Sequence, residues 1–236
     1  MPTVIKGQPT STEVLERLKA QNDPVILCFS CGKDSIATWI ALEEAGIDFT
    51  PVYLWYVPHL SFVDDELEYF ERKLGKKIHA YPHPSFYRWL NSLVAQAPER
   101  IRVIEAAKLP EPTYEQLWDL VREDLNLPNA WLADGVRAAD SIVRRASFVR
   151  NGVMKGRSRK VSPIADWLKG EVYDAIERRG IELPIDYEIW GRSFDGLDYR
   201  FIAPMRDKLP DDFARLKEWF PLIEADIVRN EGTVWG

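Results

Sequence analysis

The chain has 236 residues, a net charge of −6, and 46% hydrophobic and 29% charged residues, which together predict an ordinary globular protein with its own core. The negative charge excludes a protein that coats polyanions in general. Two cysteines exclude a disulfide framework, no stretch approaches 18 apolar residues, and residues 1–12 lack the apolar core of a signal peptide. We therefore expect a cytoplasmic protein without a membrane partner.

The first part of the chain alternates predicted helices and strands. Residues 10–22 are predicted to be helical because Thr10 and Glu13 have the spacing of a capping box. Residues 25–29 form a continuous apolar run, the pattern of a strand buried on both faces. Further strands are predicted at residues 49–57 and 77–81, and further helices at residues 35–44 and 64–74. This alternation favours βαβ units and a parallel sheet.

A polar loop of six residues connects the first predicted strand to the following helix. A loop that enters a helix presents free backbone N–H groups and the positive end of the helix dipole, so it can bind an anion. The loop is not a Walker P-loop, because Leu27 and Asp34 stand where that motif needs Gly and Ser or Thr. The alternative interpretation is a structural turn in which Asp34 or Ser35 caps the helix.

The loop resembles the Ser-Gly-Gly-x-Asp-Ser "PP-loop" of the ATP pyrophosphatase superfamily, with Cys31 in place of the first Gly. A Cys at that position requires a backbone with negative φ. The resemblance implies that the loop holds the pyrophosphate of ATP, and that Lys33 and Asp34 are catalytic. The implied nucleotide-binding residues of the loop are Ser30, Cys31, Gly32, Lys33, Asp34 and Ser35.

The rest of the chain completes the predicted fold. Residues 83–127 are predicted to be mostly helical, and the part after Gly180 to be loop-rich up to a helix near residues 211–219. Strands are predicted at residues 130–133 and 161–164, with helices at residues 141–149 and 167–179. We expect an α/β protein of the adenine nucleotide alpha hydrolase-like (Rossmannoid) kind, a three-layer sandwich with about five parallel strands. The predicted domains are residues 1–190, which bind the nucleotide, and a C-terminal extension, residues 191–236.

A second motif follows the fourth predicted strand: Asp134-Gly135-Val136-Arg137, with Asp140, Ser141 and Arg144 close behind. With Pro163–Trp167 and a later Pro-x-x-Tyr-x-x-Gly run, it resembles the phosphoadenosine phosphosulfate (PAPS) reductase branch of the superfamily. The resemblance implies nucleotide contacts from Gly135, Arg137 and Arg144. Arg137 is then a phosphate clamp or, alternatively, part of a salt bridge. Asp134 is a Mg²⁺ ligand together with Asp34, or else a helix cap.

The sequence also departs from that branch. No Cys follows Cys31, so neither the reductase thiolate nor an iron–sulfur cluster is expected. Cys28 and Cys31 are spaced like a redox pair, but Cys28 belongs to the buried strand and is interpreted as a core residue. The family's usual Asp-Thr-Gly after the second strand is replaced by Trp55–Pro58, where Tyr56 is the expected nucleotide contact.

The expected activity is that of an ATP pyrophosphatase or adenylyltransferase. An acceptor oxygen attacks the α-phosphorus of ATP with Mg²⁺ as cofactor, and Lys33, Asp34 and Arg137 form the catalytic set. The acceptor is not identifiable. Two alternatives remain: reduction of a sulfated adenine nucleotide with an external thiol, and a nucleotide-binding regulatory or DNA-modification subunit. The basic stretch at residues 137–160 leaves a nucleic-acid partner open, and Trp219 and Trp235 leave a homodimer open.

Overall fold

The computed structural model describes residues 3–232, which contain twelve α-helices, six β-strands and one 3₁₀ turn. The strands are β1 Val25–Cys28, β2 Thr50–Trp55, β3 His79–Pro82, β4 Trp131–Ala133, β5 Met154–Lys155 and β6 Lys160–Val161. The helices are α1 Ser11–Gln21, α2 Lys33–Glu44, α3 Ser61–Leu74, α4 Pro84–Asn91, α5 Pro98–Ala107, α6 Tyr114–Asp124, α7 Ile142–Asn151, α8 Lys169–Arg178, α9 Ile185–Trp190, α10 Tyr199–Lys208, α11 Pro210–Trp219 and α12 Glu224–Gly232. The 3₁₀ turn is Ala138–Asp140.

One sheet has the strand order β3-β2-β1-β4-β6-β5. β1 pairs in parallel with both β2 and β4, and β4 pairs in parallel with β6. β5 pairs antiparallel with β6 and forms a hairpin of two-residue strands. β6 overlaps the strand predicted at residues 161–164, whereas the sequence analysis missed β5. The predicted α/β class is thus confirmed, with six strands instead of about five and one of them antiparallel.

The chain reverses its direction of travel across the sheet at β1. From β1 it moves to β2 and β3 on one side, and it then returns to β4 on the other side. Right-handed crossovers place α2 on one face of the sheet and α7 on the opposite face. α8 packs against α2. The loops after β1 and β4 therefore flank a topological switch point, where doubly wound sheets bind their ligands.

The described chain forms two compact units. The first unit consists of residues up to Tyr53, Phe70–His79 and Leu120–Leu183, and the second of Leu54–Tyr69, Ala80–Asp119 and the chain from Pro184. Compact units alone do not define domains, so the predicted division at residue 190 stays a prediction.

The centre of the first unit is β1, whose residues Val25, Ile26 and Leu27 are buried. The rings of Phe29 and Phe70 pack edge to face with their centroids 5.1 Å apart. At the N-terminus of α1, Thr10 and Glu13 form the predicted capping box. The buried apolar side chains of β1 hold this strand in register with its neighbours β2 and β4.

In the second unit α3 begins at Ser61, three residues before the predicted start. The Ser61 hydroxyl donates to Asp212 Oδ2 at 2.9 Å, and the backbone N–H groups of Ser61 and Phe62 also donate to this buried carboxylate. Asp212 follows Ser61 by 151 positions, so no local sequence signal marks this helix start.

The prediction of a loop-rich segment between Gly180 and the helix near residues 211–219 is wrong, because α9 and α10 lie there. The predicted helix is present as α11, and α12 follows it within the described residues. α10 contains Pro204 in its interior, and the left-handed Gly191 ends α9, so the segment consists of short helices whose breaks obscure the periodicity. The ring of Phe194 joins them by packing against Phe62, Trp190 and Phe201.

Two buried carboxyl groups face each other in the second unit, Glu66 on α3 and Asp186 on α9. The Phe194 N–H donates to Asp186 Oδ2 at 2.7 Å. Burial, followed by the charge of Asp186, raises the pKa of Glu66 to about 9, and burial also raises the pKa of Asp186. The pair therefore holds one proton at neutral pH.

None of the helices between residues 3 and 232 combines the length and apolar character needed to cross a bilayer.

Candidate functional site

The loop after β1 leads into a helix whose first turn has no side-chain cap. Gly32 is the N-cap residue of α2, with φ −75° and ψ 153°, and the first intrahelical bond runs from Ile36 N–H to Gly32 O. The N–H groups of Asp34 and Ser35 in the first turn precede that bond, so they have no acceptor within the helix. This turn lies at the switch point of the sheet, where a helix N-terminus offers backbone donors together with the positive end of the helix dipole.

The two serines of the loop brace its backbone. The Ser35 hydroxyl donates to Gly32 O at 2.8 Å and accepts from Ser30 N–H at 3.1 Å. The Ser30 and Ser35 hydroxyl oxygens are 3.2 Å apart. Because Ser35 is buried, it fixes the loop shape more than it presents a free donor. The predicted phosphate contacts of Ser30 and Ser35 stay predictions.

The backbone at Cys31 overturns one expectation. Its φ is +56°, in the left-handed region, and not negative as the replacement of Gly by Cys was expected to require. Cys31 is only 2% exposed, so the tight turn and its surroundings hold the residue in this conformation. A Gly at the equivalent position of the PP-loop pattern fits this geometry without strain.

An ion-pair chain of five residues starts at the loop lysine. Lys33 Nζ lies 2.5 Å from Asp34 Oδ2, and Arg137 Nε lies 2.9 Å from Asp34 Oδ1. Arg137 Nη2 is 2.6 Å from Asp140 Oδ1, and Arg144 Nη1 is 2.6 Å from Asp140 Oδ2. The contact between Arg137 and Asp34 is an ion pair without the alignment of a hydrogen bond. The ion-pair chain thus runs from Lys33 to Arg144 on α7.

Arg137 is the buried centre of this ion-pair chain. Its side chain is 4% exposed and lies between two carboxylates, and Nη1 also approaches Trp167 O at 3.5 Å. A buried guanidinium with this environment holds protein carboxylates in place. Arg137 therefore forms salt bridges, as the alternative interpretation predicted, but they are buried and not at the surface. Its role as a phosphate clamp stays a prediction.

The Asp134 carboxylate is used locally. Oδ1 accepts from the Ser162 hydroxyl at 2.6 Å and from Val136 N–H at 3.2 Å. The bond from Val136 closes a local turn with the Asp134 side chain. Burial raises its pKa. Within residues 3–232 no cluster of three or more His, Cys, Asp or Glu side chains could hold a metal ion. The two Mg²⁺ ligands, Asp34 and Asp134, remain a prediction, and Asp34 already pairs with two cations.

Gly135 brings the loop after β4 against the start of α2. A Cβ atom on Gly135 would lie 2.7 Å from the backbone C and O atoms of Asp34. No side chain fits there without displacing the loop after β1 or the start of α2. The resemblance assigned Gly135 to nucleotide binding, and the structure gives it in addition a packing role that its sequence neighbours do not reveal.

Cys28 lies level with the loop after β4, because Leu27 pairs with Ala133 in the strand register. Burial first, and then the charge of Asp134, raises the pKa of the Cys28 thiol strongly. Neither Cys28 nor Cys31 forms a disulfide. A thiol with a raised pKa is a poor nucleophile, which agrees with the interpretation of Cys28 as a structural residue.

The basic stretch at residues 137–160 does not form one surface. Arg159 Nη2 pairs with Asp23 at 2.8 Å, Arg159 Nε donates to Asn129 O at 2.7 Å, and the guanidinium lies over the ring of Trp131. These contacts lie where β1 and β4 begin, at the edge of the sheet opposite the loop after β1. The end of the basic stretch near Arg159 therefore lies away from that loop.

Tyr56 belongs to the second unit. The centroid of its ring lies 4.1 Å from that of the His83 ring and 5.8 Å from that of the Trp89 ring, on which it stacks. Burial raises the pKa of the Tyr56 hydroxyl to about 12. Burial lowers the pKa of His83 to about 4, so the ring is neutral at pH 7. Its Nδ1 accepts from Ser85 N–H, and Nε2 therefore donates to the Tyr114 hydroxyl at 2.6 Å. Sequence reasoning did not find this pair, since no motif marks it. The nucleotide contact of Tyr56 stays a prediction.

Comparisons with known proteins give one likeness at the level of structure. No protein-family model and no curated protein matches the chain. Among solved structures it is similar to an NH3-dependent NAD synthetase from Campylobacter jejuni in complex with the nitrate ion, with 10% identity, a TM-score of 0.46, and coverage of 94% of this chain and 93% of that chain. A likeness of this degree establishes neither a family nor an activity. The α/β class is established by the strand order and pairing.

Proposed function

We propose that the protein is a nucleotide-binding PP-loop enzyme. The observation that carries this proposal is the uncapped N-terminus of α2 at the switch point of the sheet, with Lys33 in its first turn. Backbone donors, a helix dipole and an ammonium group together favour a polyphosphate over a neutral ligand. The close approach of Gly135 to Asp34 supports the proposal, because it keeps the loop in a fixed shape.

Within that class we propose an ATP pyrophosphatase of the adenylyl-transferring type. Mg–ATP is the substrate, an acceptor oxygen attacks the α-phosphorus, and the bond to the β-phosphate breaks as pyrophosphate leaves. The N–H groups of the α2 first turn and Lys33 stabilise the charge that builds up on the leaving pyrophosphate. Lys33 exchanges Asp34 for a phosphate oxygen, and Arg137 keeps the Asp34 carboxylate compensated while Lys33 is engaged.

The decisive test is nucleotide binding and pyrophosphate release by a Lys33→Ala variant. We expect a loss of about a hundredfold in pyrophosphate release and weaker ATP binding by calorimetry, with an unchanged fold because Lys33 is partly exposed. Lys6→Ala is the matched control, since this exposed lysine lies outside the loop. If Lys33→Ala binds and cleaves ATP as well as the native protein does, the proposal is wrong.

The finer assignment to the PAPS reductase branch rests on the motif resemblance alone. A second assay tests this activity: sulfite release from a sulfated adenine nucleotide with added thioredoxin, in place of pyrophosphate release from ATP, would favour that branch. Binding of ATP without cleavage would instead favour a regulatory subunit. DNA belongs among the acceptors to be screened because α7 exposes Arg145 and Arg150 and contains no acidic residue.

A further inference from the structure

The ion-pair chain links the loop lysine to the protein surface. Arg137 is buried, whereas half of the Arg144 side chain is exposed on α7. The five charges alternate in sign from Lys33 through Asp34, Arg137 and Asp140 to Arg144, and every link measures 2.9 Å or less. Because Arg137 at the centre is buried, its two pairs are screened less by water and salt than exposed pairs, and a change in one of them alters the other.

The Asp34 carboxylate is shared between Lys33 and Arg137. The more strongly Arg137 is drawn toward Asp140, the less it compensates Asp34, and the more firmly Asp34 holds Lys33. Asp140 is in turn shared between Arg137 and Arg144. If the contact between Arg144 and Asp140 weakens, Asp140 attracts Arg137 more strongly. Arg137 then compensates the Asp34 carboxylate less, and Asp34 holds Lys33 more firmly.

We propose that this ion-pair chain sets how firmly Lys33 is held and thereby tunes nucleotide affinity from Arg144 on the surface. The proposal rests on the nucleotide site proposed above, because it assumes that Lys33 must leave Asp34 to bind phosphate. Asp140 and Arg144 then act as positioning residues for Lys33, and neither needs to touch the nucleotide. The ion-pair chain predicts effects of opposite sign at these two positions.

The first readout does not involve nucleotide. The rate of reductive methylation of Lys33, followed by peptide mass spectrometry, reports how firmly its ammonium is held. We expect Asp140→Asn, which keeps the side-chain volume, to raise this rate about two- to fivefold, and Arg144→Gln to lower it by a similar factor. Arg144→Lys keeps the positive charge, so Lys33 of this variant should be methylated at the native rate.

The second readout is ATP affinity by calorimetry, with Arg145→Gln as the matched control. Arg145 is exposed on the same helix, adjacent to Arg144 in sequence, and its removal changes the net charge equally. We expect tighter ATP binding by Asp140→Asn, weaker binding by Arg144→Gln, and a smaller effect of Arg145→Gln. The difference between the two arginine variants should persist at about 0.5 M salt, where charges acting over longer distances are largely screened but the contact of Arg144 with Asp140 at 2.6 Å is not.

The outcomes separate the two proposals. Equal effects of Arg144→Gln and Arg145→Gln on Lys33 methylation would overturn the ion-pair chain and leave the proposed function standing. Altered Lys33 methylation in a protein that binds no ATP would support the ion-pair chain and reject the proposed function. If Asp140→Asn fails to fold, as judged by circular dichroism, the exposed Arg144 variants still decide the question.

Discussion

The two units treat their buried ionisable groups in opposite ways. In the first unit the buried Arg137 lies between two carboxylates, and the ion-pair chain carries both signs of charge. In the second unit the buried carboxyls of Glu66 and Asp186 face each other, and the charge of Asp65 raises the pKa of Glu66 further. Opposite charges compensate each other at every pH where both are ionised, whereas two acids must share a proton. The first arrangement suits a site that receives charged ligands, and the second makes stability depend on pH.

The largest expected effect tests the packing beside the ion-pair chain in the first unit. Gly135→Ala places a methyl group 2.7 Å from backbone atoms of Asp34, so the loop or the start of α2 must shift. We expect the free energy of unfolding, measured by urea denaturation, to fall by about 3 kcal/mol, with loss of ATP binding. Gly156→Ala is the control, because its Cβ would have no neighbour within 4 Å. Equal stability of the two variants would show that the loops do not constrain each other.

The next effect concerns the acid pair of the second unit. The raised pKa of Glu66, about 9, means that the folded protein keeps a proton that the unfolded chain has released, so stability falls as pH rises from neutral toward 9. At about 1.4 kcal/mol per pH unit, the loss from this group between pH 7 and 8.5 is about 2 kcal/mol. Glu66→Gln should remove this loss, since the amide stays neutral and can donate to Asp186.

Glu105→Gln on α5 serves as control for the acid pair. Glu105 is exposed, and its variant should retain the alkaline loss of the native protein in denaturation curves taken across this pH range. A native protein whose stability is flat from pH 7 to 8.5 would contradict the shared proton and remove the contrast between the units.

The smallest effect concerns Cys31. Both Ala and Gly remove the thiol, but only Gly adopts φ +56° without strain. We expect Cys31→Gly to be more stable than Cys31→Ala by about 1 kcal/mol in urea denaturation. At Cys28 in β1 the order should reverse, because Gly is less favourable than Ala inside a strand. The same order at both cysteines would show that the loop relaxes to negative φ.

Local patterns carried most of what the sequence could predict. The sequence alone predicted the order of β1, the polar loop and α2, because they follow one another directly in the chain. It also predicted the capping box at Thr10, because Glu13 is only three positions away. Strands of a parallel sheet end at one edge, so the sequence also predicted that the loops after β1 and β4, with Asp134, lie at the same edge.

The features that sequence reasoning missed depend on distant residues. The start of α3 depends on Asp212, and the shape of the loop depends on the approach of Gly135 to Asp34. The pairing of Arg137 with Asp34 requires the loops after β1 and β4 to meet, and the position of Arg159 requires a hairpin of two-residue strands. Such contacts leave no periodic signal in the chain.

The contact between Gly135 and Asp34 also bears on how such a loop could be transplanted. Two segments that are separated by a hundred positions touch without room for a methyl group, so neither can be exchanged alone for that of a related protein. A chimera that carries only the segment after β1 would meet whatever residue the recipient has opposite it. Recombination between homologues should therefore retain both segments together, and laboratory grafts should move them as a pair.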